Sequence, residues 1–167
     1  MDMTCRISAF NAALNDKVFK AQKTEHEGSS IHNRRRGNFY RICLFTDRNI
    51  IRYGDKTYLI DGPALFFGNP SIDYSIENVS LATVGYASTF SRDYFDVNAC
   101  SECLQKSSLF KERGEPFIIL DSKQKKFVEE VFEKMIEAQE SPYFYKEELI
   151  HNYINLLIHE ALKTTIS

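Results

Sequence analysis

Phe39-Tyr40-Arg41-Ile42-Cys43-Leu44-Phe45-Thr46 is the stretch that decides how this chain is read. Aromatic and branched residues crowd it, and no glycine or proline interrupts it, which is the signature of a β-strand. The same signal recurs downstream at short intervals. Asn49 to Tyr53 is a second run, closed by Gly54-Asp55. Lys56 to Ile60 is a third, closed by Asp61-Gly62-Pro63. Ala64 to Gly68 is a fourth, followed by Asn69-Pro70-Ser71, and Val79 to Ala87 is a fifth. Short strands with turn residues about every ten positions predict an antiparallel sandwich or small barrel. No helical run separates them, which argues against a parallel α/β sheet.

Upstream of this block, residues 1–36 read as irregular and polar, ending in Arg34-Arg35-Arg36. Downstream the period changes. Thr89 to Val97 and Ala99 to Ser107 read as short helices, and Pro116 to Leu120 as a returning strand. Asp121-Ser122-Lys123-Gln124 has the form of a capping box. Phe127, Val128, Val131, Phe132, Met135 and Ile136 then place one apolar face on a helix that Ser141-Pro142 ends. A last helix from about Tyr145 to Lys163 carries Leu149, Ile150, Tyr153, Ile154, Leu157, Ile158, Ala161 and Leu162 on one stripe, widened by Leu156. That stripe is broad for covering one side of a small barrel, and its surplus could meet another subunit. The expected fold is mainly β with C-terminal α: residues 1–120 a barrel with short helices, 121–167 a two-helix segment.

Length and composition bound the function. The 167 residues, 43% hydrophobic and 26% charged, suit one globular domain. A balance of 21 Lys+Arg against 23 Asp+Glu, net charge −2, is not that of a free-standing nucleic-acid binder. No run approaches the ~20 apolar residues of a membrane span, and no signal peptide is visible at the N-terminus. The cysteines Cys5, Cys43, Cys100 and Cys103 then read as reduced thiols in a cytoplasm.

Motifs for chemistry are few. Cys100-Ser101-Glu102-Cys103 is a Cys-x-x-Cys. It reads as two thiols on one helical turn facing the core, or as a redox pair or half a zinc site. His26, His32, His151 and His159 form no ligand motif and read as surface or interface residues. Arg34-Arg35-Arg36, with Arg41 beyond, is a solvated loop or an anion site at a barrel mouth, where guanidinium forks match carboxylate or phosphate. No acid–base pair, P-loop or nucleophile elbow is present, so no enzyme activity and no cofactor are expected.

The order of the segments carries more than any one motif. The Phe39–Thr46 strand is followed by Tyr58-Leu59-Ile60-Asp61, Leu65-Phe66-Phe67-Gly68-Asn69-Pro70, Val84-Gly85-Tyr86-Ala87 and Phe90-Ser91-Arg92-Asp93-Tyr94-Phe95, then two amphipathic helices. This series, over residues 30–165, resembles the N-terminal half of AraC-type transcriptional regulators. The resemblance implies a cupin-like barrel (jelly roll) that senses a small-molecule effector, with helices that form a homodimer. It also implies that DNA is contacted only through a helix-turn-helix half that would follow Ser167.

Enzymatic cupins hold metal with His-x-His and Glu on one strand and a further His near a later turn. On the family's pattern those positions fall at Arg35, Gly37, Arg41 and Tyr74. The whole ligand set is replaced, which argues against the alternative of a stand-alone metal-dependent cupin enzyme. An effector pocket is expected from Arg35, Arg41, Tyr53, Tyr58, Tyr74 and Tyr86, suited to an anionic or polyhydroxy ligand. The opposite strand parity would exchange half of that set. The homodimer is expected through Leu149, Tyr153, Leu156, Leu157 and Glu160 of the last helix. A barrel packed solid with Phe and Tyr, serving only to dimerise, is the remaining alternative.

Overall fold

The computed structural model describes residues 19–27, 30–34, 39–80, 82–91, 94, 109 and 114–166. Within them the chain forms β1 (Phe19–Glu27), β2 (Ser30–Arg34), β3 (Phe39–Phe45), β4 (Asn49–Tyr53), β5 (Lys56–Ile60), β6 (Ala64–Gly68), β7 (Tyr74–Asn78), β8 (Ala82–Ser91) and β9 (Phe117–Ile119). Two helices close it, α1 (Ser122–Glu140) and α2 (Lys146–Ile166). One sheet has the order β1-β8-β3-β6-β9 and the other β2-β7-β4-β5. Every pairing is antiparallel. Distant strands become neighbours, as in a jelly roll: β8 lies between β1 and β3, and β7 between β2 and β4.

Side-chain alternation along β3 explains the layers. Cys43 points between the sheets into a cluster with Ile51, Tyr53, Ile60, Phe66, Tyr74 and Ile76. Ile42 and Leu44 point the other way and pack with Phe132, Met135, Ile154 and Leu157 of the helices. The five-stranded sheet is therefore covered on both faces. Its strand β6, Ala64-Leu65-Phe66-Phe67-Gly68, is buried at all five positions. A strand with no solvated face loses the polar alternation and becomes a continuous apolar run.

The C-terminal helices follow the sequence closely. Asp121 Oδ1 accepts from the Gln124 backbone N–H at 2.7 Å, and Gln124 Oε1 accepts from the Asp121 N–H at 3.0 Å. This reciprocal pair satisfies donors that a helix start leaves open. Val128, Val131, Phe132, Met135 and Ala138 are the buried face of α1.

Three expectations are corrected. The segment 1–36 was expected to be irregular, yet β1 pairs with β8 over nine residues, from Phe19 opposite Phe90 to Glu27 opposite Ala82, and β2 pairs with β7. β1 is an edge strand with Lys20, Gln22 and Lys23 exposed and Ala21 buried. Lysines on an edge are a guard against further pairing and mask the strand signal. Gln139 of α1 caps that edge: its Oε1 accepts from the Ala21 N–H and its Nε2 donates to the Ala21 carbonyl, both at 2.8 Å. The fifth run, expected from Val79 to Ala87, begins at Ala82 as β8, and the stretch before it, expected to be a turn region, holds β7 at Tyr74–Asn78. Thr89 to Ser91 stay in β8, because that strand is paired on both sides by β1 and β3. Tyr94 is helical, and the Ala99–Ser107 run with its Cys100/Cys103 pair lies outside the described residues.

Candidate functional site

Arg41 enters the space between the sheets from β3, on the same face as Cys43, as the two-residue period of a strand requires. It sits opposite Gly68 of β6. That glycine leaves room for an aromatic ring. A Cβ at position 68 would stand 2.6 Å from Tyr74 Oη and 2.8 Å from its Cζ. Tyr74 thereby reaches across Gly68 to the guanidinium. Cys43 foremost, and then Tyr74, favour the charged form of Arg41 and raise its pKa, while burial pulls the other way. Arg41 Nε and Nη1 are both buried without a hydrogen-bond partner among the described residues.

Aromatic rings pack around Tyr74. Tyr53, opposite Tyr74 in the β4–β7 register, stacks on it at 5.9 Å. Phe66 meets Tyr74 edge-on at 5.2 Å and Tyr53 at 6.1 Å. Tyr58 packs at the rim against Phe117, 5.2 Å away. On the other side of Arg41 is a cavity of about 50 Å³, lined among others by Cys43, Phe45, Asn49, Ile76, Asn78 and Tyr86 and by none of the rings just named. Drug-sized ligands occupy pockets of ~300–1,000 Å³, so the barrel is mostly filled by its own side chains.

Four of the expected pocket residues, Arg41, Tyr53, Tyr58 and Tyr74, thus face the space between the sheets. Arg35 lies outside the described residues. Tyr86 touches the cavity lining, but its ring is turned elsewhere. It stands on the opposite face of β8, donates its hydroxyl to Glu133 and stacks on Phe132 at 5.4 Å. Its neighbour Ala87 takes the inward position, so the parity of β8 is one residue from the expected one. Cys43 and the buried Asn49 and Asn78 were missed. Cys43 was detectable as the residue two beyond Arg41. The asparagines flank turns and read as turn residues; Asn78 Oδ1 accepts from the Ser80 N–H at 2.8 Å, and Asn49 Nδ2 donates to the Asp47 carbonyl at 3.0 Å.

The last helix divides the expected interface residues. Leu157 is 0% exposed and belongs to the chain's own core, so it has no surface to offer a partner. Leu149 and Tyr153 are half-buried against that core. Leu156 is 44% exposed, and Glu160 pairs with Lys163 at 2.9 Å. His151 is buried rather than on the surface. Its ring stacks on Tyr94 at 4.1 Å, and Nδ1 and Nε2 each lie 2.6 Å from a carbonyl, of Glu147 and Tyr94. Tyr94 Oη donates to Glu147 at 2.9 Å. These contacts fasten Tyr94 to α2. Among the described residues no group of three or more His, Cys, Asp or Glu is placed to hold a metal ion. None of the described helices is long and apolar enough to cross a membrane.

No family model matches the chain, and no curated protein matches it in sequence. Solved structures do resemble it in fold. Apo ToxT K231A from Vibrio cholerae superposes over 89% of this chain with a TM-score of 0.58 at 14% identity. ToxT from Vibrio cholerae O395 bound to (E)-4-(8-methylnaphthalen-1-yl)but-3-enoic acid covers 87% with a TM-score of 0.52 at 10% identity. The Cnp3 cupin domain of Schizosaccharomyces pombe covers 45% with a TM-score of 0.41 at 14% identity. The chain spans 57% of the length of each of these three structures. Two face-to-face antiparallel sheets with helices on one outer face make this a cupin-like jelly roll closed by two C-terminal helices, a fold it shares with ToxT.

Proposed function

We propose that this chain is the effector-sensing and dimerisation domain of an AraC-type transcriptional regulator, acting in the cytoplasm. The observation that carries the reading is the extent of the likeness to ToxT, an AraC-family regulator with a cupin-like N-terminal domain. At 89% of this chain, the likeness extends well beyond a bare barrel. The order of sequence segments points to the same family independently. In this reading the chain performs no chemistry. A small molecule held near Arg41 shifts the populations of two arrangements, which it can do only by binding them with different affinity. DNA is read by a helix-turn-helix half outside this sequence.

The homodimer forms through α2, with Leu156 as the exposed anchor and Leu149, Tyr153 and Glu160 around it. Sedimentation of the native chain and of Leu156→Glu tests this. The native chain sediments as a dimer and the variant as a folded monomer. A native chain that stays monomeric at every concentration refutes the dimerisation role. A second reading, a barrel that only dimerises, is favoured by the small cavity. It predicts that sugars, organic acids and fatty acids all leave the melting temperature unchanged.

A further inference from the structure

Arg41 is unlike the other arginines whose surroundings are described. Arg48 pairs with Asp61 at 3.0 Å and Arg52 with Glu77 at 3.2 Å, both in contact with solvent. Arg41 faces the interior, and no carboxylate among the described residues pairs with it. The buried polar residues described are Asn49, Asn78, Ser88, Ser91 and His151, none of them acidic. A guanidinium cannot shed its proton in a protein. Arg41 is half-buried as a residue, with Nε and Nη1 out of solvent, and a charge so placed gains from a counter-charge. Solvent in the cavity can hydrate this charge but not neutralise it.

From this we infer that the barrel holds a small monoanion against Arg41, of the size of formate, acetate or a halide. Charge sets the sign of the ligand and volume sets its size. At ~10–15 Å³ per water-sized position, a cavity of about 50 Å³ admits three to five non-hydrogen atoms. That suits a carboxylate head with at most one or two carbons and excludes a pentose or a long acyl chain without rearrangement. Nε and Nη1 supply two buried donors. The Tyr74 hydroxyl, held in place over Gly68, lies against the same guanidinium. This deepens the sensor reading and rests on it for its regulatory meaning: a filled site would lock β3, β6 and β7 together at one end of the barrel.

The test is thermal unfolding of the native chain in formate, acetate, chloride or octanoate, or with a neutral pentose, at ionic strength held constant by the bulky anion gluconate. Formate, acetate and chloride give a saturable rise in Tm, and octanoate and the pentose give none. Arg41→Gln loses the response, and Arg41→Lys keeps it at about tenfold weaker affinity, since a point charge replaces a fork. A bromide-soaked crystal shows an anomalous peak within hydrogen-bonding distance of Arg41, which needs no variant to fold. Cys43→Ser keeps the response. Its loss in that variant means that a thiolate of Cys43 is the counter-charge, and the inference falls. It falls equally if no small anion raises Tm, or if octanoate or the pentose raises it more than formate. In that last case the sensor reading survives with a larger, induced pocket. A monomer in sedimentation with an intact formate response has the reverse meaning: the site stands and the regulatory reading fails.

Discussion

Replacing Gly68 by Ala isolates one contact on which the interior depends. The backbone at position 68 is ordinary strand, so alanine brings no conformational penalty of its own. By itself the change should stabilise by about 0.4–1 kcal/mol, because it restricts the unfolded chain. The structure predicts the opposite sign. The new Cβ would stand 2.6, 2.8 and 3.0 Å from Tyr74 Oη, Cζ and Cε1. The ring has little room to yield, since Tyr53 stacks on it and Phe66 abuts it. Overpacking of this kind costs about 1–3 kcal/mol. Taking about 2 kcal/mol, the middle of that range, and subtracting the entropic gain leaves a net loss of about 1–1.6 kcal/mol, or roughly 2–6 °C in Tm for a chain of this length. The assay is urea unfolding of native chain, Gly68→Ala, Tyr74→Ala and the double variant. The two sites touch, so their effects should be non-additive: in the Tyr74→Ala background alanine at 68 should cost nothing. A stabilised Gly68→Ala, or strict additivity, would refute the placement of Tyr74 over Gly68 and with it the geometry around Arg41.

Three further outcomes are expected. Asp121→Ala removes the side-chain half of the α1 capping box and should cost about 1 kcal/mol in chemical denaturation; no change would mean that the first turn is held by packing alone. Gln139→Ala removes both bonds to the edge of β1 and, at about 0.5–1.5 kcal/mol each, should destabilise by about 1–3 kcal/mol; faster hydrogen exchange at Ala21 than in the rest of the sheet locates the loss. The third concerns pH. Burial and then Glu133 raise the pKa of Tyr86, and burial and then Glu147 raise that of Tyr94. The folded chain thus keeps protons that the unfolded chain releases from about pH 10. Their contribution is intact below that pH and shrinks as pH rises above it. Denaturation midpoints should fall on the alkaline side, and less steeply in Tyr94→Phe; an identical slope counts against the Tyr94–Glu147 contact.

What was legible before the structure follows physical lines. Strands β4, β5 and β6 stand at the residues their flanking turns mark out, because Gly, Asn, Asp and Pro at their ends are local signals. The capping box and the one-faced stripe of α1 are local too. β1 was hidden because an edge strand has one partner, and its exposed Lys20, Gln22 and Lys23 dilute the apolar alternation. β7, Tyr74-Ser75-Ile76-Glu77-Asn78, alternates cleanly but is only five residues long, and it was merged into the turn region before β8.

The candidate site divides in the same way. Its residue types were visible on the chain: an arginine in the Phe39–Thr46 run and a tyrosine just after the Asn69-Pro70-Ser71 turn. Their meeting was not, since Arg41 and Tyr74 lie on different strands, and their contact depends on the absent side chain of Gly68. The parity of β8, which turns Tyr86 toward Glu133 and away from the interior, depends on which face the helices cover. So does the division of α2 between the buried Leu157 and the exposed Leu156, adjacent residues in one apolar stripe. Local periodicity and turn chemistry act over a few residues and were readable from the chain alone. Which of two apolar faces meets which neighbour is decided by long-range packing, because only the assembled sheets and helices determine how much surface each face has to bury.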